Sequence, residues 1–325
     1  MSPARRSGLI FAVISAICFG FSGPLAKAFI DAGMSPLQAV WIRLGGSAVV
    51  LFALTAAINP HALVVPRSRW PFVIAYSAVG FAAVQALYYA TVSRLAVGVA
   101  ILLEYLSPVL VVAWVRLIRR VHLARTAMVG AVLALVGLAC VVEVWQGLRI
   151  DGLGLLLGLG TAASAAVYFL LSQNAGDGLH PLGSLSWGTL GATLVLLPLA
   201  RPWHLPWHVL TGDLSLGARM LPAALAASWL VLIATVAAYA ASVAALRRLT
   251  AAIGATVASL EVIATVLIAW GLLGETLGPA QLTGGVIVLV GALLAQRALI
   301  SPVAEPARER MAVGTHEAPA CARSQ

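Results

Sequence analysis

Leu95-Ala-Val-Gly-Val-Ala-Ile-Leu-Leu-Glu-Tyr-Leu-Ser-Pro-Val-Leu-Val-Val-Ala-Trp-Val-Arg-Leu117 decides the fold class of this chain. It is long enough to cross a bilayer as an α-helix, which needs about 20 apolar residues. It carries one acidic side chain, Glu104, near its middle and one proline, Pro108, four residues later. Comparable stretches recur from Gly8 almost to Arg297, and 61% of the 325 residues are hydrophobic against 10% charged. A soluble domain is about 25% charged, so too few charges remain here to clothe a water-facing surface. The expectation is an all-α membrane protein of ten transmembrane helices, at roughly 8–30, 36–57, 70–91, 95–117, 126–144, 152–173, 181–200, 222–246, 250–273 and 279–298. Each must be helical, because lipid offers stray backbone groups no partner.

The first stretch follows Arg5 and Arg6 but runs from Gly8 to about Ile30. That is too long for the apolar region of a cleaved leader, so it reads as the first span. Residues 299–325, rich in Ala, Pro, Arg and Glu without periodicity, read as a disordered cytoplasmic tail. Cys18, Cys140 and Cys321 stand far apart and show neither a disulfide framework nor metal spacing.

The net charge of +9 does not imply nucleic acid, because the basic residues gather at span ends. With the N-terminus inside, Arg5, Arg6, Arg67, Arg69, Arg116, Arg119, Arg120, Arg125, Arg247, Arg248, Arg297, Arg308, Arg310 and Arg323 fall on the cytoplasmic side. Only Arg94, Arg149, Arg201 and Arg219 fall outside. The positive-inside rule therefore places both termini in the cytoplasm of a multi-pass protein of the inner or plasma membrane.

The chain also repeats itself. Ser35-Pro-Leu-Gln-Ala-Val-Trp-Ile-Arg-Leu-Gly-Gly46 resembles His180-Pro-Leu-Gly-Ser-Leu-Ser-Trp-Gly-Thr-Leu-Gly191, and Ala90-Thr-Val-Ser-Arg-Leu95 resembles Ala244-Ala-Leu-Arg-Arg-Leu249. Gly130 and Gly137 recur as Gly284 and Gly291. Each repeat holds five spans, an odd number, so the second must enter the membrane from the opposite face. Inverted repeats with a site between the halves are a transporter signature.

Three further stretches carry a resemblance: Arg247-Arg-Leu-Thr-Ala-Ala-Ile-Gly-Ala-Thr-Val-Ala-Ser-Leu-Glu261, Leu272-Leu-Gly-Glu-Thr-Leu277 and Gln281-Leu-Thr-Gly-Gly-Val-Ile-Val-Leu-Val-Gly291. So do Ser93–Glu104, Pro108 and Gly130–Gly137 of the first half. Together they resemble the EamA group of the drug/metabolite transporter superfamily. The family's Glu-Pro pair is Glu261-Val262 here, Glu104 precedes Pro108 by four, and the first half lacks the Gly-Glu of the fourth span. The resemblance implies two EamA-type repeats, at 8–145 and 152–298. It also implies a secondary transporter that moves an amino acid, a related metabolite or a toxic compound, most often outward.

Ionisable side chains at bilayer depth are costly, roughly 2.5 kcal/mol or more, and so mark function by default. Glu104 and Glu261 lie near mid-span, ten and nine residues before Trp114 and Trp270. Either they line a central cavity, to bind a substrate amine or a coupling proton, or they hold helices together through backbone bonds. Pro108 removes a backbone bond beside Glu104, serving a site or a packing kink. Gln85, Tyr88 and Tyr89, with Tyr105, form either a polar and aromatic wall or helix–helix contacts. Arg43 and Trp41 lie early in span two, where Arg43 could pair with Glu104 or hold a carboxylate. Lys27 and Asp31, four apart, read as an outer-end ion pair, and Tyr168, Ser164 and Trp187 are the corresponding candidates in spans six and seven, residue types more often packing than binding. In Pro202-Trp-His-Leu-Pro-Trp-His208 the prolines oppose the helix that two histidine ligands would need, and the tryptophans suit the membrane interface.

No cofactor or metal is expected, and no Gly-x-x-x-x-Gly-Lys-[Ser/Thr] loop for nucleotide is present. The partners expected are a small-molecule substrate, the lipid bilayer and a proton, and not nucleic acid. An intramembrane enzyme acting on lipid would need paired Asp or His sets. Asp31, Asp151, Asp177 and Asp213 all lie in or near loops, so the expectation is no enzyme. A non-transporting receptor has no soluble domain through which to signal.

Overall fold

The computed structural model describes residues 3–120, 123–143, 151–173, 179–249 and 259–300. Nine helices in it are long and apolar enough to cross a membrane. They are α1 (Arg6–Asp31), α2 (Pro36–Ile58), α3 (Arg67–Val92), α4 (Val97–Leu117), α5 (Arg125–Val142), α6 (Gly152–Ser172), α7 (Pro181–Ala200), α8 (Ala223–Ala245) and α10 (Pro279–Arg297). Between α8 and α10 lies α9 (Leu260–Leu273), apolar but shorter. The span expected at 250–273 begins in residues outside those described, as does the tail expected at 299–325 for all but its first two residues.

Local chemistry explains several boundaries. Ser35 Oγ accepts the Gln38 amide and Gln38 Oε1 accepts the Ser35 amide, a capping box that starts α2 together with Pro36. α7 opens with Pro181 behind His180, whose Nδ1 accepts the Leu182 amide. The outward faces carry bare apolar side chains such as Val49, Ile58 and Leu117, each more than 70% exposed. In water such a belt would be a liability; against lipid chains it is the required surface.

Four helices are irregular. α1 breaks at Phe21 and α4 at Tyr105–Leu106, splitting them into Pro3–Gly20 with Ser22–Asp31, and Val97–Glu104 with Ser107–Leu117. A proline explains each: Pro24 and Pro108 have no N–H for the carbonyl four residues back, which is Gly20 in one case and Glu104 in the other. α3 and α8 contain π-helical segments, Tyr76–Ala83 and Leu232–Ala237. These occupy matching places in the two halves. π segments inside longer helices concentrate at functional sites.

α5 and α10 make the most extensive helix pair among the described residues. Their four repeated glycines explain why. A Cβ on Gly291 would lie 2.5 Å from the Ala134 nitrogen, and one on Gly137 2.6 Å from the Val288 nitrogen. The backbones therefore touch directly, as small residues allow.

The connection after α7 holds regular structure of its own. Two strands, β1 (Asp213–Leu216) and β2 (Arg219–Pro222), pair antiparallel with Asp213 opposite Pro222. Leu214 and Leu216 point inward while Asp213 and Ser215 are exposed. Gly217 makes the turn at φ +63°. Trp203 and Trp207 stand 64% exposed in the same connection, as interfacial residues do.

Candidate functional site

A cavity of about 240 Å³ opens inside the bundle where the irregular helices meet. It lies slightly below the roughly 300–1,000 Å³ of pockets for drug-sized ligands, so its occupant is small. α4 contributes Ile101, Glu104, Tyr105, Ser107 and Pro108, residues that flank its break on both sides. α3 contributes Gln85 and Tyr88, α2 Arg43, and α1 Phe19 and Ser22, which flank its own break. The other half contributes Tyr168 and Phe169 from α6, Tyr239 from α8, Glu261 and Thr265 from α9, and Gln296 from α10.

The two carboxyls thus reach one space from matching spans of the two halves. Both residues are half-buried. No hydrogen bond or ion pair among the described residues engages either carboxyl. They are not the helix-to-backbone ties of the alternative reading, at least toward described residues.

Arg43 is fixed differently from expectation. It is 2% exposed and does not pair with Glu104. Its Nη1 donates to Gln85 Oε1 at 2.8 Å and its Nε to Thr235 Oγ1 at 2.9 Å, with a longer contact from Nη1 to Tyr89 Oη at 3.4 Å. The guanidinium also lies over the Tyr89 ring, 5.8 Å from its centroid. Thr235 belongs to the π segment of α8, and its hydroxyl donates in turn to the Leu230 carbonyl at 2.8 Å. Gln85 and Tyr89 come from the regular turns of α3 that follow its own π segment. Arg43 is therefore a tie between the halves that also forms part of the cavity wall.

The remaining expected residues divide. Gln85, Tyr88, Tyr105 and Pro108 line the cavity, as does Tyr168. Tyr89 does not line it: its ring is fully buried behind Arg43, and its hydroxyl lies 3.3 Å from Ser22 Oγ. Trp41 does not line it either. Residues two apart on a helix lie about 200° apart around its axis. Arg43 faces inward, so Trp41 faces an apolar groove with Gly45, Leu190 and Trp207. Lys27 does not pair with Asp31. It donates to the Val92 carbonyl at 3.1 Å and lies 4.0 Å from Glu275, because its half-buried ammonium turns into the bundle while Asp31 stays exposed.

Several lining residues escaped the sequence reading: Phe19, Ser22, Tyr239, Thr265, Ser107 and Gln296. Aromatics wall the space. Tyr239 meets Phe19 edge-on at 4.9 Å, and Tyr76 approaches Tyr168 with hydroxyls 3.4 Å apart. Gly80 makes room for that wall, since a Cβ there would lie 2.5 Å from the Tyr168 ring.

The comparisons agree with this architecture. The model of the EamA-like transporter family matches residues 6–143 and again 152–296. The chain is 27% identical to the threonine/homoserine exporter RhtA of Escherichia coli K12 over 286 residues, 83% of this chain and 87% of that one. It is 26% identical to the uncharacterized transporter YwfM of Bacillus subtilis over 313 residues, covering 94% and 97%. It is also 26% identical to the uncharacterized inner membrane transporter YicL of Salmonella typhimurium over 200 residues, covering 60% and 67%. A solved crystal structure shares the fold with a TM-score of 0.57 at 18% identity, covering 91% of this chain and 99% of the other. A family and relatives made of transporters point away from an enzyme. With the model matched twice along its length, this chain is a membrane transporter of the EamA-like family.

Proposed function

We propose that the chain is a secondary transporter that exports a small, amine-bearing organic solute, such as an amino acid or a related metabolite, across the inner membrane. The cavity is its binding site. Access alternates between the two faces as the two halves rock about it. On this reading α9 completes ten spans, arranged as two inverted repeats at 8–145 and 152–298, and both termini are cytoplasmic.

One observation carries the reading: Glu104 and Glu261, from matching spans, face the same cavity, and neither has a partner among the described residues. A carboxyl without a partner in a cavity of low polarity seeks a cation, which is either an ammonium group or a proton. Tyr88, Tyr105, Tyr168 and Tyr239 provide ring faces and hydroxyls beside the carboxyls. Such rings hold ammonium groups through their quadrupoles. The kinship with a threonine/homoserine exporter favours an amino acid over a larger toxic compound. The surplus of Arg on the N-terminal side supports the orientation.

Overexpression in a host cell, with the medium profiled by mass spectrometry and Glu104→Gln as control, tests this. A compound that accumulates only with the wild type is the expected result. Normal flux in Glu104→Gln at an unchanged membrane level would remove Glu104 from the mechanism.

A further inference from the structure

The half-helix that carries Glu104 is not capped by its own repeat. α4 begins at Val97, and the preceding residue, Ala96, has no side chain able to accept its first amides. An uncapped start leaves several N–H groups without partners. The missing acceptor comes from the other half. Glu275, in the connection between α9 and α10, accepts the Val97 amide on Oε2 at 2.8 Å. Leu277 packs beside it, within 3.1 Å of where a Cβ on Gly98 would stand. Lys27 at the end of α1 grips the same corner, through the Val92 carbonyl at 3.1 Å, 4.0 Å from Glu275.

All these groups lie on one face of the bundle. α1, α3 and α9 end there, and α4 and α10 begin there. The corresponding connection of the first half has no acid to match it. Glu275 corresponds to the stretch Ile118-Arg-Arg-Val121, which contains no acid. Lys27 corresponds, at the offset that relates Ser35 to His180, to Ser172, whose hydroxyl has no partner among the described residues.

We propose that Glu275 is a positioning residue that caps α4 from across the repeat boundary, and so holds the cavity closed on the face opposite the N-terminus. Opening that face parts the α9–α10 connection from the α3–α4 corner, which uncaps α4 and frees the segment that carries Glu104. The inference rests on the alternating-access reading, but its test needs no solute. A Glu-to-Gln change keeps the carbonyl acceptor and a Glu-to-Ala change removes it, so the two separate the cap from the charge.

The test uses spin labels at Arg94→Cys and Thr276→Cys, one on each side of the contact, with Cys18, Cys140 and Cys321 replaced by serine. Electron paramagnetic resonance then reads their separation in the purified full chain. The wild type and Glu275→Gln should share the short separation, and Glu275→Ala should add a longer one. Adding Ala96→Ser to Glu275→Ala supplies a local cap. It should recover thermal stability and leave the separation long. An unchanged separation in Glu275→Ala overturns the proposal. So does a return to the short separation with Ala96→Ser, because Glu275 would then only stabilise α4. Either failure leaves the transport reading standing, and absent flux in the wild type would leave these separations unaffected.

Discussion

Gly291→Ala tests the contact between α5 and α10. The added Cβ would lie 2.5 Å from the Ala134 nitrogen, 2.6 Å from the Gly130 oxygen and 2.9 Å from the Ala134 Cα. All three atoms belong to backbone, so no rotamer change relieves the overlap. Ordinary contact begins at 3.4 Å, and 3.4 − 2.5 gives a separation of about 0.9 Å that the helices must open at this crossing. Gly130, Gly137 and Gly284 share the crossing, with closest approaches of 2.6–2.7 Å, so their contacts loosen together. A gap of 0.5–1 Å forfeits roughly a quarter to a half of each dispersion well. Overpacking of this kind costs about 1–3 kcal/mol. The internal control is Gly271→Ala, in α9, where nothing lies within 4 Å of the added carbon. There helix propensity alone acts, a gain of up to about 1 kcal/mol. Unfolding of both variants in the same detergent by SDS titration measures the difference. If Gly291→Ala unfolds at the wild-type midpoint, or with Gly271→Ala, the backbone contact between α5 and α10 is not as described.

Arg43→Met leaves Gln85 Oε1, on a half-buried side chain at the cavity wall, without its charged donor and should cost about 1 kcal/mol. Adding Gln85→Leu removes the orphaned acceptor and should recover most of that loss in the same unfolding assay; a double variant no better than the single one contradicts the tie. Pro108→Ala restores an amide for the Glu104 carbonyl, worth about 1 kcal/mol if α4 closes into one helix. Thermal stability should then hold or rise while the efflux rate falls, and unchanged efflux would show that the break is only a packing kink. Burial, assisted by Asp31, raises the Glu275 carboxyl above its ordinary value, against the pull of the Val97 and Gly98 amides and of Lys27. An acid raised in the closed form takes up a proton on closing. The short spin-label separation should therefore gain population as pH falls through that raised value, and level off below the ordinary carboxylate range. Opening on acidification would contradict the sign.

Much of the site was legible because charge and polarity stand out in apolar helices. Glu104, Glu261, Arg43 and Gln85 could be singled out on that ground alone, and all four line the cavity. Glycines two turns apart share one helix face, the pattern of a close helix contact, and Gly130, Gly137, Gly284 and Gly291 make one. What escaped lacks a one-dimensional signature. Phe19 and Tyr239 are ordinary span residues until tertiary packing brings their rings to 4.9 Å. A π segment is a change of hydrogen-bond register with no marker residue, so neither Tyr76–Ala83 nor Leu232–Ala237 was foreseen. Thr235, one partner of Arg43, lies within the second of them. Two signals were present and unused. Pro24 strips a bond from the Gly20 carbonyl as Pro108 does from Glu104, and Leu214 and Leu216 alternate with polar residues before Gly217 in a hairpin pattern. Trp41 stands apart from the cavity for a geometric reason, since its spacing from Arg43 sends it to the opposite side of α2.

The cavity's charge count ties the proposed mechanism to these particulars. Arg43 contributes one positive charge, which neutral acceptors hold in place and no contact with a carboxylate cancels. Glu104 and Glu261 contribute two negative charges when both are ionised, and in that state the empty cavity carries one net negative charge. Unbalanced charge is costly in so little water, and one monovalent cation restores balance. A proton meets that need, and so does an amine solute whose net charge is +1, but not both together. On the proposed reading the two therefore compete for the same vacancy, and each keeps the other from rebinding once it has left. Glu104→Gln brings the empty cavity to balance, so neither cation is required. A protein that folds normally but has lost its preference for an amine is what that substitution should leave.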